Sequence, residues 1–253
     1  MASVGPLMTG SGERSQRRNP CELFQMSTIR KLSRPWIVVP AVVLVTLGGT
    51  LVIAVRHAAW EARRSNTYSR LYFARHVLRN YESSHGTLPP LCLRDSLGKP
   101  IHSWRALILP FLEIESLRRL DLSQPWNSDY NRKIIDSVPL SDWRCFSGEW
   151  PAEQPPATTH LLGYIGPQSI WETTTGKPKG TTQDHPGAIL LICVPESDIH
   201  PLQPVDITED EVRKIVARGG DVLFITAGEP HGYGVVTIEH GSLAFHVRPE
   251  PTD

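Results

Sequence analysis

The sequence predicts an α+β fold: a long N-terminal helix, partly transmembrane and partly amphipathic, packed on a small antiparallel or mixed sheet. Three observations predict it. Residues Trp36 to Val55 are twenty positions without a charged side chain, and twelve of them are Ile, Leu or Val. The stretch from Arg56 to Tyr81 contains neither Gly nor Pro and places Trp60, Tyr68, Leu71, Tyr72 and Leu78 at helical spacing. Beyond residue 160, short apolar runs bounded by Gly and Pro read as strands, with one well-marked helix between them.

A helix as long as Trp36–Val55 spans roughly 30 Å at about 1.5 Å per residue, the hydrocarbon thickness of a bilayer. The twelve aliphatic residues contribute on the order of −4 to −7 kcal/mol to insertion, offset in part by Pro40, Thr46, Gly48, Gly49 and Thr50. Insertion wins, and a retained anchor is expected over a cleaved signal, whose apolar region is shorter. The chain then divides into a basic, disordered tail (1–35), a transmembrane helix (36–55), a helix continuing into the domain (56–83), and an α+β domain (84–253). The tail carries Arg14, Arg17, Arg18, Arg30, Lys31 and Arg34 against Glu13 and Glu22. Within about fifteen residues of the span, Arg56, Arg63, Arg64 and Arg70 outnumber Arg30, Lys31 and Arg34, a local count that favours a cytoplasmic C-terminus, against which stand the tail's three further arginines. Long domains translocate largely regardless of charge, so a cytoplasmic N-terminus and an extracytoplasmic domain at the cell membrane are expected.

Charge excludes one class of partner. Twenty-six basic and twenty-six acidic residues leave no net field to attract nucleic acid. None of the four cysteines forms a CxxC pair, which argues against a zinc knuckle. Outside the cytoplasm Cys92 and Cys145 could bridge, or both could stay as unpaired thiols; Cys193, within the apolar run Ala188–Val194, reads as a small buried hydrophobe.

The elements follow in order. Ser83-Ser-His-Gly-Thr-Leu-Pro-Pro90 ends the long helix, because Gly caps and paired prolines cannot extend it. After a turn at Asp95–Gly98, Ser103 caps a helix over Trp104–Leu109, which Pro110 breaks or kinks before a second turn to Leu120. Asn131–Ser137 is a short helix. Trp150–Pro156 and Thr173–Thr182 are loops. Leu161–Ile165 and Ala188–Val194 are strands. Thr208-Glu-Asp-Glu211 is a capping box opening a helix through Val212, Ile215 and Val216, which Gly219-Gly220 stops. Asp221–Ala227 is a strand, and Gly234–Glu239 with Ser242–Val247 form a hairpin about His240-Gly241.

Several of these segments carry a resemblance. Tyr81-Glu-Ser-Ser-His-Gly-Thr-Leu-Pro-Pro90, Ser103-Trp-Arg-Ala-Leu-Ile-Leu-Pro-Phe-Leu-Glu113, Pro125-Trp126 with Asn131-Arg132, Arg144-Cys-Phe-Ser147 and His240-Gly-Ser-Leu-Ala-Phe245 resemble the pilin-like, membrane-anchored bacterial family of unknown function numbered fifteen fifty-nine, found mainly in planctomycetes. The likeness runs from about Ala58 to Phe245 and implies a pilin-type helix on a sheet. A prepilin junction would need Gly before the span and Glu inside it. This chain has Leu32-Ser-Arg-Pro-Trp-Ile-Val-Val-Pro-Ala41, so neither peptidase processing nor assembly into a fibre is expected.

No pattern for chemistry stands out. Ten histidines include no H-x-H, H-x-x-x-H or HExxH spacing, and Asp184-His185 with Asp198-Ile-His200 are the least implausible ligands. Glu196, Asp198, Asp206, Glu209, Asp210 and Glu211 lack EF-hand spacing. No Ser stands in G-x-S-x-G, and Gly219-Gly220 has no phosphate-loop context. Trp104, Trp126, Trp143, Trp150 and Trp171 read as packing residues under loops. No catalytic residue, cofactor or metal is therefore expected. The expected role is a non-enzymatic, single-pass envelope protein that contacts lipid through Trp36 to Val55 and other envelope proteins or surface polymers through its domain. The alternative is a membrane-tethered hydrolase whose active site has an unfamiliar geometry.

Overall fold

The computed structural model describes residues 35–146, 158–194, 197–228 and 232–249. The expected disordered tail and the Trp150–Pro156 loop lie outside them. Contacts divide the chain into two units, Met1–Ala58 and Ala59–Asp253.

Helix α1 runs Pro35–His85 and ends as expected at Gly86, whose φ of 76° suits a residue without Cβ. It is long and apolar enough to cross a membrane. In the first unit Leu44, Val45 and Ile53 are about 70% exposed (70%, 74% and 69%).

In the second unit a six-stranded sheet has the order β5-β3-β4-β6-β7-β8, from β3 (Leu161–Ile165), β4 (Ile189–Cys193), β5 (Ile207–Thr208), β6 (Val222–Thr226), β7 (Gly232–Glu239) and β8 (Ser242–Pro249). All neighbours are antiparallel except β3 and β5, so the sheet is mixed. Strands β4 and β6 are wholly buried because both sheet faces are covered, which is why they read as unbroken apolar runs. On one face, Leu191, Leu223 and Ile225 pack with Leu71, Ala74, Val77 and Leu78 of α1. On the other, Ile192, Val222 and Phe224 pack with Val212 of helix α4 (Glu209–Ala217) and with Leu243 and Phe245 of β8. A register shift between Ile189 and Leu191 puts the consecutive Leu190 and Leu191 into the same core.

The second part of α1 is fixed along the sheet by polar contacts as well as by apolar ones. The Trp60 indole donates to Asp221 at 2.9 Å, and the Tyr68 and Tyr233 rings lie 4.4 Å apart. Arg75 donates to the carbonyls of Ala227 and Gly228, and Glu82 accepts from the backbone and hydroxyl of Thr182. Gly228 permits this junction: a Cβ there would meet the backbone of Pro186 and Thr182 at 2.4 Å.

Most predicted elements appear with shifted ends. The Thr208–Glu211 capping box forms in full, and the hairpin turn holds His240 and Gly241 at φ 50° and 79°. Ser103 caps α2, which is shorter than expected at Trp104–Ile108. Pro110 converts its continuation to a 3-10 turn at Leu109–Phe111, followed by a separate one at Glu115–Arg119. Helix α3 spans Asp129–Ile135 because Ser128, rather than a later residue, caps it. The Asp95–Gly98 turn joins two strands the sequence did not announce, β1 (Cys92–Arg94) and β2 (Pro100–Ser103). Another 3-10 segment, Leu140–Phe146, and the two-residue β5 were likewise not foreseen.

Candidate functional site

The densest polar chemistry in the second unit gathers where β2, α2 and β3 meet residues 199–206. Ser103 ends β2, its hydroxyl caps α2, and its backbone N–H donates to Leu202. That geometry sends Trp104 and Arg105 inward, and both are fully buried. The Arg105 guanidinium donates to the Leu161 carbonyl through Nε (3.0 Å) and Nη2 (2.5 Å), and to the Ser103 hydroxyl at 2.5 Å. It also pairs with Asp206 at 3.2 Å. Oδ1 of Asp206 accepts in addition from the Trp104 indole (3.1 Å) and the Gly163 amide (2.7 Å). Gly163 makes room for this, since a Cβ there would meet Leu91 at 2.2 Å and the same Asp206 oxygen at 3.2 Å. Burial pushes the Asp206 carboxyl up to about 6 in spite of the attraction of Arg105 and the hydrogen bonds it accepts. With its partners in place it is ionised at neutral pH, and it fastens three segments together.

Beside this lock stands an aromatic and histidine cluster. The Trp126 and His200 rings stack at 4.9 Å, and Trp143 meets His200 edge-on at 5.2 Å. His200 Nδ1 accepts from the Leu202 amide, so its proton sits on Nε2; His102 Nε2 bonds the Gln124 carbonyl, so its proton sits there. Nδ1 of His102 and Nε2 of His200 are buried without a hydrogen-bond partner among the described residues. Burial lowers both imidazoles, His200 to about 4, and lowers His160 to about 4 with added repulsion from Arg70. These rings are neutral at physiological pH.

The residues weighed as ligands do not come together. Asp184 turns onto its own loop, accepting from Thr181 at 2.7 and 3.0 Å, while His200 lies between the indoles. Of the acids, Asp206 serves Arg105, Glu209 pairs with Arg213 at 2.8 Å, and Glu211 closes the capping box. Glu196 lies outside the described residues. Among those described, no three His, Cys, Asp or Glu side chains surround a point where a metal ion could sit. Cys92, Cys145 and Cys193 are free thiols, and burial pushes Cys145 and Cys193 up to about 12, far from nucleophilic at neutral pH. Trp104, Trp143 and Trp171 are buried as expected of packing residues, and Trp126 is half-buried. A surface groove of about 600 Å³ lies apart from the lock, with Phe73, Leu112 and Ile114 as its apolar lining and Glu113, Glu115 and Asp142 among its polar residues.

Sequence reasoning missed the Arg105–Asp206 pair and the His102 and His200 environments. The partners are about a hundred residues apart, and no local spacing announces them.

Residues 58–189 match a family described as "Protein of unknown function (DUF1559)". The chain belongs to this family. No curated protein and no solved structure matches the chain. The family segment includes α2 with Trp104 and Arg105, and Trp126 and Trp143. Asp206 and His200 lie beyond it, so in this member the lock joins the family segment to the part of the chain that follows.

Proposed function

We propose that the protein is a single-pass, membrane-anchored envelope protein with a pilin-like domain, whose role is structural or in interaction rather than catalytic. The observation that carries the reading is the apolar run of α1: aliphatic side chains from Val39 to Val55 stand exposed, where a water-soluble helix would bury an apolar stripe. Hydrocarbon is the solvent such a surface suits. The buried side chains of the Arg105–Asp206 pair are used in holding segments together, which supports a scaffold better than a reaction centre. In this reading the domain lies outside the cytoplasm and meets other envelope proteins or surface polymers.

Alkaline carbonate washing of membranes tests the anchor. The full-length chain is expected to stay in the pellet and to leave it only with detergent, while a chain beginning at Ala59 is expected in the wash. Full-length chain in the aqueous fraction overturns the reading. A protease added to spheroplasts should degrade a C-terminal tag; protection until the membrane is lysed would place the domain in the cytoplasm instead.

A further inference from the structure

We propose that the end of the domain marked by Trp60 and Asp221 binds the headgroups of an anionic phospholipid surface. The proposal rests on the anchored reading above and adds a specific lipid chemistry to it. Two segments meet at the Trp60–Asp221 hydrogen bond: the stretch of α1 after residue 59, and the end of α4 leading through Gly219-Gly220 into β6.

Trp60 follows Val55, the last residue of the apolar run, by five positions in the chain. Indole rings collect just beyond the ends of apolar spans, with the N–H toward polar groups. Here the indole is 37% exposed and its N–H is held by Asp221. The Arg64 guanidinium lies 5.1 Å from the Trp60 ring and 5.7 Å from Tyr68. Arg63, Lys214 and Arg218 are exposed and form no ion pair among the described residues. Lys214 and Arg218 are four positions apart and share one face at the C-terminal end of α4. Against these cations the two segments carry Glu61, Glu82 and Asp221; Asp221 is occupied by Trp60 and Glu82 by Thr182. Basic side chains with long aliphatic stems, free of ion pairs and carried on segments that meet at an indole five residues along the chain from an apolar run, are the chemistry that reads phosphate headgroups.

The test follows acylation of Lys214 by an amine-reactive reagent in the full-length protein. The protein is placed in nanodiscs of phosphatidylcholine alone or with about one-third phosphatidylglycerol, and Lys99 and Lys133 serve as internal standards. A basic residue near an anionic surface gains about fivefold in occupancy. Lys214 labelling is therefore expected to slow about fivefold in anionic discs relative to both standards. The slowing should fade in high salt and in an Arg63→Glu/Arg218→Glu variant. The same Lys214 ratio in both lipids, with the protein inserted, overturns the headgroup contact and leaves the anchor standing. Failure of the chain to enter either disc overturns both.

Discussion

The two parts of α1 carry similar aliphatic side chains to opposite ends. Around Leu44, Val45 and Ile53 the helix is exposed on every side and carries no charge; around Leu71 and Leu78 it is buried against a sheet and accompanied by Arg75 and Glu82. In the second stretch the buried Arg75 and the half-buried Glu82 are answered by other parts of the chain, Arg75 by two carbonyls and Glu82 by Thr182. The difference teaches that composition marks a helix as apolar while the presence of paired charges marks its solvent. A stretch destined for hydrocarbon can supply no partners and so carries no charges; one destined for a protein core can afford them.

The harshest way to break this rule is to leave a charge unanswered inside the domain. Asp206→Ala strands the fully buried Arg105 and should cost about 3–5 kcal/mol in urea unfolding. A loss below about 1 kcal/mol would mean the pair is replaceable by solvent. Next, truncating one aliphatic residue in each stretch compares the two environments directly. Leu78→Ala should cost about 2–5 kcal/mol of domain stability, whereas Leu51→Ala, 65% exposed, should leave the unfolding midpoint unmoved. Equal losses would show that the first stretch also supports the domain.

Acid probes the neutral polar groups in the core. His160 and His200 titrate in the fold near 4, below the ordinary 6.5, so they favour the fold above 6.5 and lose that contribution as pH falls toward 4. Asp206, raised to about 6 from 3.8, acts in reverse, favouring the fold most at low pH and losing that contribution as pH rises through 6. Two imidazoles outweigh one carboxyl, and stability should drop on the order of 2–3 kcal/mol between about pH 7 and 4.5. A midpoint that rises on acidification would mean Asp206 dominates. The smallest effect is local: Thr208→Ala removes the cap of α4 and should cost about 1 kcal/mol, read by the same unfolding curve.

What the sequence revealed follows the range of the interaction. Thr208 with Glu211, Ser103 with Arg105, and His240-Gly241 act over at most three residues, and their spacing alone disclosed a cap or a turn. The apolar runs Leu161–Ile165 and Ala188–Val194 disclosed strands because burial on both faces removes any alternation. Strands β1 and β2, with three and four residues, are too short for a pattern, and only their Asp95–Gly98 turn was legible. Asp206 looked like one more acid before a helix; its meaning comes from Arg105 and Trp104 across the fold. His200 likewise looked like a loop histidine until Trp126 and Trp143 closed on it.

The bond between Trp60 and Asp221 spans 161 positions of chain. At roughly 5–20 residues per second, a ribosome needs about ten to thirty seconds to reach Asp221 after Trp60 has been made. Until β3 and β4 have been made, Leu71 and Leu78 have no strand of the sheet to cover them. The outer part of α1 therefore gains its complete cover only when β6 has followed.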